Sequence, residues 1–409
     1  MTTAPCWARV TGPLAPYAQG FRAELERQGY TPLSAAVQVR LMSHLDRWLS
    51  REGLDIAGLT PARVEAYFAE RRAGGYVGER TVRALRPLVG YLQQLDVLPV
   101  FPAPAPATPV NELLARYRRY LIVERGLSEN TVDLNLRLVG LFLRERADTR
   151  AGRLDLGALT ATEVNAFVIT ASRHRPSSVK RTVTALRSLL VFLHVTGLLD
   201  RPLAAAVPSP PGWTQTGLPK ALSNDQVAAL LTSCDRTTPT GRRDFAILTL
   251  LARLGLRVGE VAALTLEDID WRRGELTVHG KGNRRDRLPL PADVGEPIVD
   301  YLRHGRPAVA LDRAVFLRMQ APYRGLTSVG VSTLVEVAGR RAGLGTIGAH
   351  RLRHFAATAM LRRGGSLTEI GQTLRHTRPA TTAIYAKVDE GALRTLARPW
   401  PVDTPGGAS

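Results

Sequence analysis

Cysteine, lysine and long apolar runs are all scarce in this sequence. The two cysteines among 409 residues, Cys6 and Cys234, are too few and too isolated for a disulfide framework or a zinc site. The most apolar stretch, residues 245–266, is interrupted by three charged side chains, whereas a membrane helix needs about 20 apolar residues in succession. These absences argue against a disulfide-stapled module and against a membrane protein.

The balance of charge favours a polyanionic partner. Lysine and arginine total 55 against 36 aspartates and glutamates, a formal net charge of +19 at pH 7. Nucleic acid is therefore the favoured partner, and an acidic membrane surface is second. The opening residues, Met-Thr-Thr-Ala-Pro-Cys-Trp-Ala-Arg, lack the charged start and continuous apolar core of a signal peptide. We expect a cytoplasmic protein associated with the nucleoid.

Lysine is rare enough here that its position carries information. Only Lys180, Lys220, Lys281 and Lys387 occur, beside 51 arginines (55 − 4). Arginine is effectively always protonated, whereas lysine can give up a proton. Lys281 stands between two glycines, where it is either a solubilising turn residue or a general acid.

Two proline-rich stretches divide the chain. Residues 99–109 and 208–219 contain repeated prolines and are typical of semi-rigid linkers. A chain of 409 residues is long enough for two or three domains, each with its own core. We predict a first helical module over residues 1–105, a second over residues 110–206 and a third domain over residues 214–409.

The first two segments resemble copies of one helical module. Three pairs of segments correspond in the same order: 33–49 with 127–143, 59–68 with 159–168, and 80–85 with 181–186, at offsets of 94, 100 and 101. Apolar residues recur at helical spacing in each copy. Thr60 before Pro61, and Thr160 with Glu163, have the patterns of helix starts. Each copy is predicted to be a four- or five-helix bundle.

The third segment mixes helices with a hairpin. Ser223 and Gln226 have the spacing of a capping box at the start of a helix. Residues 275–279 and 287–290 indicate two strands joined by a Gly-Lys-Gly-Asn turn that carries Lys281. Helices return in three segments, beginning near residues 297, 328 and 350. The predicted fold is mainly α with a small β hairpin or sheet: two helical bundles followed by a mixed α/β domain.

Six residues in the C-terminal half have side chains suited to phosphodiester chemistry. They occur in the strings Gly-Leu-Arg257-Val-Gly-Glu260, Gly-Lys281-Gly-Asn, His350-Arg-Leu-Arg353 and Leu-Arg-His376, followed nine residues later by Ile-Tyr385. With this ordered set the chain resembles the tyrosine recombinase (phage integrase) family, whose Arg, Lys, His-x-x-Arg, His and Tyr follow the same order. The resemblance covers roughly residues 110–390 and depends on the whole set rather than on one motif.

The resemblance implies that four of these residues bind the phosphate. A phosphodiester resists cleavage because the nucleophile approaches an anion and the leaving alkoxide is poor. Arg257 and Arg353 would neutralise the non-bridging oxygens, a task suited to the planar guanidinium group. His350 and His376 would hydrogen-bond the phosphate and transfer protons.

Lys281 and Tyr385 are the residues that the resemblance assigns to the bonds that break and form. Lys281 would protonate the leaving 5′ oxygen, and Tyr385 would attack to give a 3′-phosphotyrosyl link. This exchange conserves bond energy and arginines supply the charge, so the resemblance implies no metal, ATP or other cofactor. Glu260 is expected to orient Arg257 through an i, i+3 pair, and His354 is expected to have no chemical role.

The resemblance implies a site-specific DNA recombinase of the integrase or transposon type acting on double-stranded DNA. Family members have a helical core-binding domain that clamps the opposite face of the duplex, and the second module resembles it. The first module is either a second DNA-binding module or a spacer that contacts protein.

A tail after Tyr385 carries apolar residues at helical spacing, namely Val388, Leu393, Leu396 and Trp400. In the family such a tail often docks on the neighbouring subunit of a tetramer, so we expect self-association to a tetramer on DNA. A type IB topoisomerase-like enzyme and a catalytically silent DNA-binding regulator stay open as alternatives. Whether accessory proteins or sister recombinases take part also stays open.

Overall fold

A computed structural model of the chain describes residues 7–76, 78, 81–99, 108–148, 153–154, 156–174, 178–209, 221–280, 284–375 and 379–388. Most of these residues are helical, and the fold class predicted from the sequence is confirmed. The chain divides into two compact units, residues 1–100 together with 215–409, and residues 101–214. The three domain boundaries given above stay a prediction. None of the described helices is long and apolar enough to span a membrane.

The first module is a bundle of four α-helices: α1 (Ala18–Arg27), α2 (Pro32–Arg51), α3 (Pro61–Ala73) and α4 (Arg86–Gln94). The Thr31 and Thr60 side chains cap α2 and α3, and a proline follows each in the first helical turn. The bundle closes on fully buried side chains that include Phe21, Leu45 and Phe68. The helix start predicted at Thr60 is confirmed, because the Thr60 side chain caps α3.

The second unit repeats this helix order. It contains α5 (Pro109–Arg119), α6 (Glu129–Glu145), α7 (Ala161–His174) and α8 (Val179–Val195), with two-residue strands β1 (Ala147–Asp148) and β2 (Arg153–Leu154) between α6 and α7. Thr160 and Glu163 form the predicted reciprocal cap of α7, with hydrogen bonds of 2.8 to 3.3 Å. The hydrophobic core of this second unit includes Tyr117, Phe142 and Leu189.

The starts and the ends of α2 and α6 correspond at different offsets. Thr31 and Ser128 are the N-caps of α2 and α6, and each follows closely on a glycine with positive φ, Gly29 at 83° and Gly126 at 58°. The caps are 97 residues apart (128 − 31), whereas the helices end 94 residues apart, at Arg51 and Glu145 (145 − 51), so the predicted offset of 94 holds at the ends of these helices and not at their starts. It matched Ser34 with the cap Ser128, whereas Ser34 lies inside the first turn of α2 and donates its backbone N–H to Thr31.

The C-terminal part of the first unit begins with α9 (Asn224–Thr232), α10 (Pro239–Arg253) and the short α11 (Val258–Ala263). The capping box of Ser223 and Gln226 is confirmed. A three-stranded antiparallel sheet follows, in the order β3 (Ile269–Asp270), β4 (Glu275–His279) and β5 (Arg285–Pro289). β5 begins two residues earlier than predicted, because His279 pairs with Arg285 and extends the ladder towards the turn.

Five further helices complete this part: α12 (Ala292–His304), α13 (Ser328–Arg341), α14 (His350–Arg362), α15 (Leu367–Thr373) and α16 (Pro379–Thr382). The predicted starts of α13 and α14 are confirmed. The start near residue 297 was wrong, since Pro297 lies in the second turn of α12 and does not mark its beginning. Tyr385 lies in a 3-10 turn, Ala383–Val388, directly after α16.

One hydrophobic core, which includes Leu250, Val278, Ile298 and Val335, supports α9 to α14 and the sheet, and a second cluster with Ile370 and Leu374 supports α15. Within the same unit, the Tyr323 backbone N–H donates to the Gln28 carbonyl (3.3 Å), which joins the first module to the C-terminal part.

Candidate active site

Four of the six predicted site residues lie on elements that meet in the C-terminal part. Arg257 precedes α11 as its N-cap residue, and His350 and Arg353 lie on the first turn of α14. Tyr385 lies in the 3-10 turn after α16. Lys281, His376 and the tail from residue 389 onward lie outside the described residues.

Glu260 is the carboxylate that organises the arginines. Its side chain is only 4% exposed and accepts hydrogen bonds from the Arg257 backbone N–H (2.8 Å), from Arg257 Nη1 (2.6 Å) and from Arg375 Nη2 (2.7 Å). Burial alone would raise the pKa of the Glu260 carboxyl. The Arg257 backbone N–H and the Arg375 guanidinium outweigh burial and hold that pKa below its ordinary value. The predicted pairing of Glu260 with Arg257 is therefore confirmed.

Arg375 is a site residue that the sequence reasoning missed. Its guanidinium binds Glu260, and its carbonyl accepts a hydrogen bond from Arg257 Nη2 (3.2 Å). Its φ is +56°, a backbone conformation that is costly for a residue with a side chain. With 51 arginines in the chain, the sequence could not single out Arg375 as a site residue. Its unusual backbone conformation is known only from the structure.

Arg353 is almost completely buried, at 2% exposure. Its Nη1 donates to the Gly255 carbonyl (2.6 Å) and its Nη2 donates to the Leu374 carbonyl. Burial, assisted by the charge of Arg257, lowers the pKa of Arg353 to about 10. Gly255 has a φ of +60°, and a Cβ there would lie 2.6 Å from Leu374 Cδ2, so glycine allows these segments to approach.

The cluster has an excess of positive charge. Arg257, Arg353 and Arg375 contribute three guanidinium groups and Glu260 contributes one carboxylate, which leaves a formal charge of +2 (3 − 1). The partners of the Arg353 guanidinium are neutral carbonyls, so they do not cancel its charge. A partly buried site with this excess favours an anion whose negative charge grows during a reaction.

His350 and His354 lie side by side on α14, with ring centroids 4.5 Å apart and nearly perpendicular rings. Partial burial and the charges of Arg353 and Arg257 lower the pKa of His350. Both causes favour the neutral imidazole, which can accept a proton.

Tyr385 is held inside the protein by His354. The Tyr385 hydroxyl lies 2.9 Å from His354 Nδ1, and its ring packs with Ala357, Ile370 and Leu374 at 2% exposure. Burial raises the pKa of the Tyr385 hydroxyl, although the charge of Arg353 opposes this. Sequence reasoning set His354 aside, yet His354 hydrogen-bonds the hydroxyl of the predicted nucleophile. The sequence did contain one sign of this role. His354 follows His350 by four residues, which places both side chains on one face of a helix.

Comparison with known proteins identifies the family. Residues 220–391 match the model of the phage integrase family, and residues 114–197 match that of the phage integrase N-terminal SAM-like domain. "Putative integrase/recombinase y4rA" of Sinorhizobium fredii is 40% identical over 395 residues, which are 95% of each chain. The chain belongs to the tyrosine recombinase, or phage integrase, family. Tyrosine recombinase XerD of Listeria monocytogenes is 31% identical over 292 residues, 70% of this chain and 97% of that protein.

Solved structures show the same fold. A lambda integrase dimer bound to a COC′ core site matches 72% of this tyrosine recombinase and 99% of its own chain, with 17% identity and a TM-score of 0.53. The XerH recombinase bound to palindromic difH, a post-cleavage complex, matches 73% and 98%, with 17% identity and a TM-score of 0.54. The integrase-type fold predicted from the sequence is confirmed.

Acidification should destabilise this recombinase through His354. Burial, with the neighbouring His350 and Arg353, lowers the pKa of His354 to about 4 from an ordinary 6.5. Between these values the unfolded chain binds more protons than the folded one, so stability falls as pH drops from about 6.5 to about 4. We expect the thermal unfolding midpoint to decline over this range, and His354→Asn to flatten the decline.

The matched control is His304→Asn, at an exposed position at the end of α12. It should leave the wild-type pH profile in place. A His354→Asn profile with the full wild-type decline would show that His354 is not the titrating group.

Proposed function

We propose that this chain is a site-specific DNA recombinase, an integrase or transposon-type enzyme, that cleaves and rejoins duplex DNA through a phosphotyrosyl link to Tyr385. The observation that carries the proposal is the arginine cluster of net charge +2 around Glu260, beside a buried tyrosine whose hydroxyl is held by a histidine. Family membership gives the reaction class, and this geometry supports the assignment of residues.

The proposed cleavage step exchanges one phosphate ester for another. Tyr385 Oη forms a bond to phosphorus while the bond from phosphorus to the 5′ oxygen breaks. Arg257 and Arg353 stabilise the charge that grows on the non-bridging oxygens. One of the two histidines, His350 or His376, takes the tyrosine proton, and Lys281 gives a proton to the 5′ oxygen.

Rejoining is the same step in reverse, with the free 5′ hydroxyl as the attacking group. The phosphotyrosyl link has kept the energy of the original ester, so the proposal needs no ATP. The arginines provide the positive charge that a metal ion gives to metal-dependent nucleases. We therefore propose a reaction that proceeds without metal or nucleotide.

The described conformation keeps the nucleophile away from solvent. The Tyr385 hydroxyl is bound to His354, and both terminal nitrogens of Arg353 are engaged by backbone carbonyls. Tyr385 is only 2% exposed, so its side chain has to leave this buried position before its hydroxyl can attack a phosphate. We infer that DNA binding and release of Tyr385 are coupled, which protects a free protein from unwanted reaction.

Partners and domain roles follow from the same proposal. Residues 110–206 would clamp the duplex as a core-binding domain, and residues 214–409 would carry out catalysis. A lambda integrase tetramer bound to a Holliday junction is among the similar solved structures. We propose that this chain likewise assembles several protomers on double-stranded DNA at the nucleoid, with the tail after Tyr385 as a coupling segment.

The Tyr385→Phe variant tests the nucleophile. A nicked suicide duplex carrying the cognate site should trap wild-type protein as an adduct that survives denaturation, because the cleaved strand cannot be rejoined. Loss of the hydroxyl should abolish this adduct, detected as a shifted band in a denaturing gel. Tyr323→Phe, a change outside the cluster, serves as the control. Undiminished adduct with Tyr385→Phe would refute the assignment.

The Lys281→Arg variant tests the general acid. Arginine keeps the charge but donates a proton poorly, so cleavage should slow by roughly a hundredfold or more. A substrate whose 5′ bridging oxygen is replaced by sulfur has a leaving group that needs no proton, and it should restore the rate of this variant preferentially. Equal slowing on both substrates would make Lys281 a binding residue.

A further inference from the structure

The first module has a line of basic side chains along one face of α2. Arg40, His44, Arg47 and Arg51 follow one another at intervals of four, three and four residues, which places them on one side of the helix. The three arginines are exposed, whereas His44 is half-buried. These four residues are called the α2 basic face.

His44, Arg47 and Arg51 of the α2 basic face form one wall of a surface groove, and α3 with the residues after it forms the other. Arg71 and Tyr76 line the second wall, where the Arg71 guanidinium lies 4.3 Å from the centroid of the Tyr76 ring. Glu70 is the one carboxylate among the residues that line the groove, and it is held by Trp48 Nε1 (2.9 Å) and Arg51 (2.6 Å). The groove therefore has a net positive charge.

The pKa of His44 reflects this positive potential. Partial burial is the main cause that lowers it, and the charges of Arg47, Arg71 and Arg40 lower it further. Three guanidinium groups thus act on one point of the surface. Within the described part of the chain, no ion pair joins any of these three to a carboxylate. Their charge is available to an external anion.

Exposed arginines also follow the helix start at the same distances in the second module. Counted from the caps Thr31 and Ser128, Arg137 stands at the place of Arg40 and Arg144 at the place of Arg47, each 97 residues later. All four are exposed, so the shared hydrophobic core does not require them. Exposed arginines at the same distances from two related helix starts are consistent with a shared polyanionic ligand for the two surfaces.

We propose that the α2 basic face is a second binding surface for the sugar-phosphate backbone of double-stranded DNA. This proposal rests on the proposed function, in which the second module grips the duplex and α6 carries the equivalent arginines. Guanidinium groups bind phosphate oxygens whatever the base sequence, so the contact positions the protein on DNA without reading bases. The intact chain would then hold duplex DNA through two related modules and a catalytic domain.

The test measures how the affinity of the full-length protein for a random-sequence duplex depends on salt. Each phosphate contact contributes about 0.9 to the slope of log affinity against log salt. The double variant Arg40→Ala/Arg47→Ala should therefore lose about 1.8 of that slope. Raising the salt from about 50 to about 200 mM should therefore weaken DNA binding by the double variant by a factor roughly tenfold smaller than for the wild type.

Two further variants control for charge and for folding. Arg63→Ala/Arg83→Ala removes the same charge from exposed positions whose equivalents in the second module are Glu163 and Thr184, and it should keep the wild-type slope. Arg40→Lys/Arg47→Lys should recover most of the slope, because a point charge still binds phosphate. An Arg40→Ala/Arg47→Ala protein that behaves like the Arg63→Ala/Arg83→Ala control would overturn the proposal and favour a protein partner for this surface. Random duplex binding needs neither Tyr385 nor a cognate site, so this result is independent of adduct formation.

Discussion

The architecture of the candidate site depends on one buried carboxylate. Glu260 lies at the start of α11 and binds both Arg257, at the head of the same helix, and Arg375, which is 115 residues later in the chain. A buried charge without a partner would be costly, so the Glu260 carboxylate and the buried Arg375 guanidinium each require the other. This pairing holds the segment before His376 against α11 and fixes where the positive charge is concentrated.

Arg353 extends the same arrangement from α14. Its two hydrogen bonds reach the carbonyls of Gly255 and Leu374, so one guanidinium joins the turn before α11 to the turn after α15. The strained backbone at Arg375 is tolerated where these contacts converge. The positive charges of this site are only partly balanced by Glu260. A bound phosphate would supply the missing negative charge, so the site favours a phosphate ligand.

The sequence was sufficient for features encoded by local pattern. The capping box at Ser223, the hairpin at Glu275–His279 and the duplicated helix starts near Thr60 and Thr160 depend on neighbouring residues and could be predicted. The ordered motifs also predicted a cluster, since Arg257, His350 and Arg353 are brought together. The contact of His354 with Tyr385 and the role of Arg375 join distant segments, and no short pattern encodes them. The predicted offset of 94 matches the ends of α2 and α6, and it misses their starts because α2 is three residues longer (20 against 17).

The most direct measurement of the organising role of Glu260 is single-turnover adduct formation by Glu260→Gln. Glutamine keeps the size of the side chain and removes the charge that orders Arg257 and Arg375. We predict a rate lower by on the order of a hundredfold, together with a lower unfolding midpoint because buried Arg375 loses its partner, and a duplex affinity close to wild type. Glu369→Gln, which alters an exposed capping carboxylate of α15, should react normally. An unchanged rate for a folded Glu260→Gln protein would contradict the account.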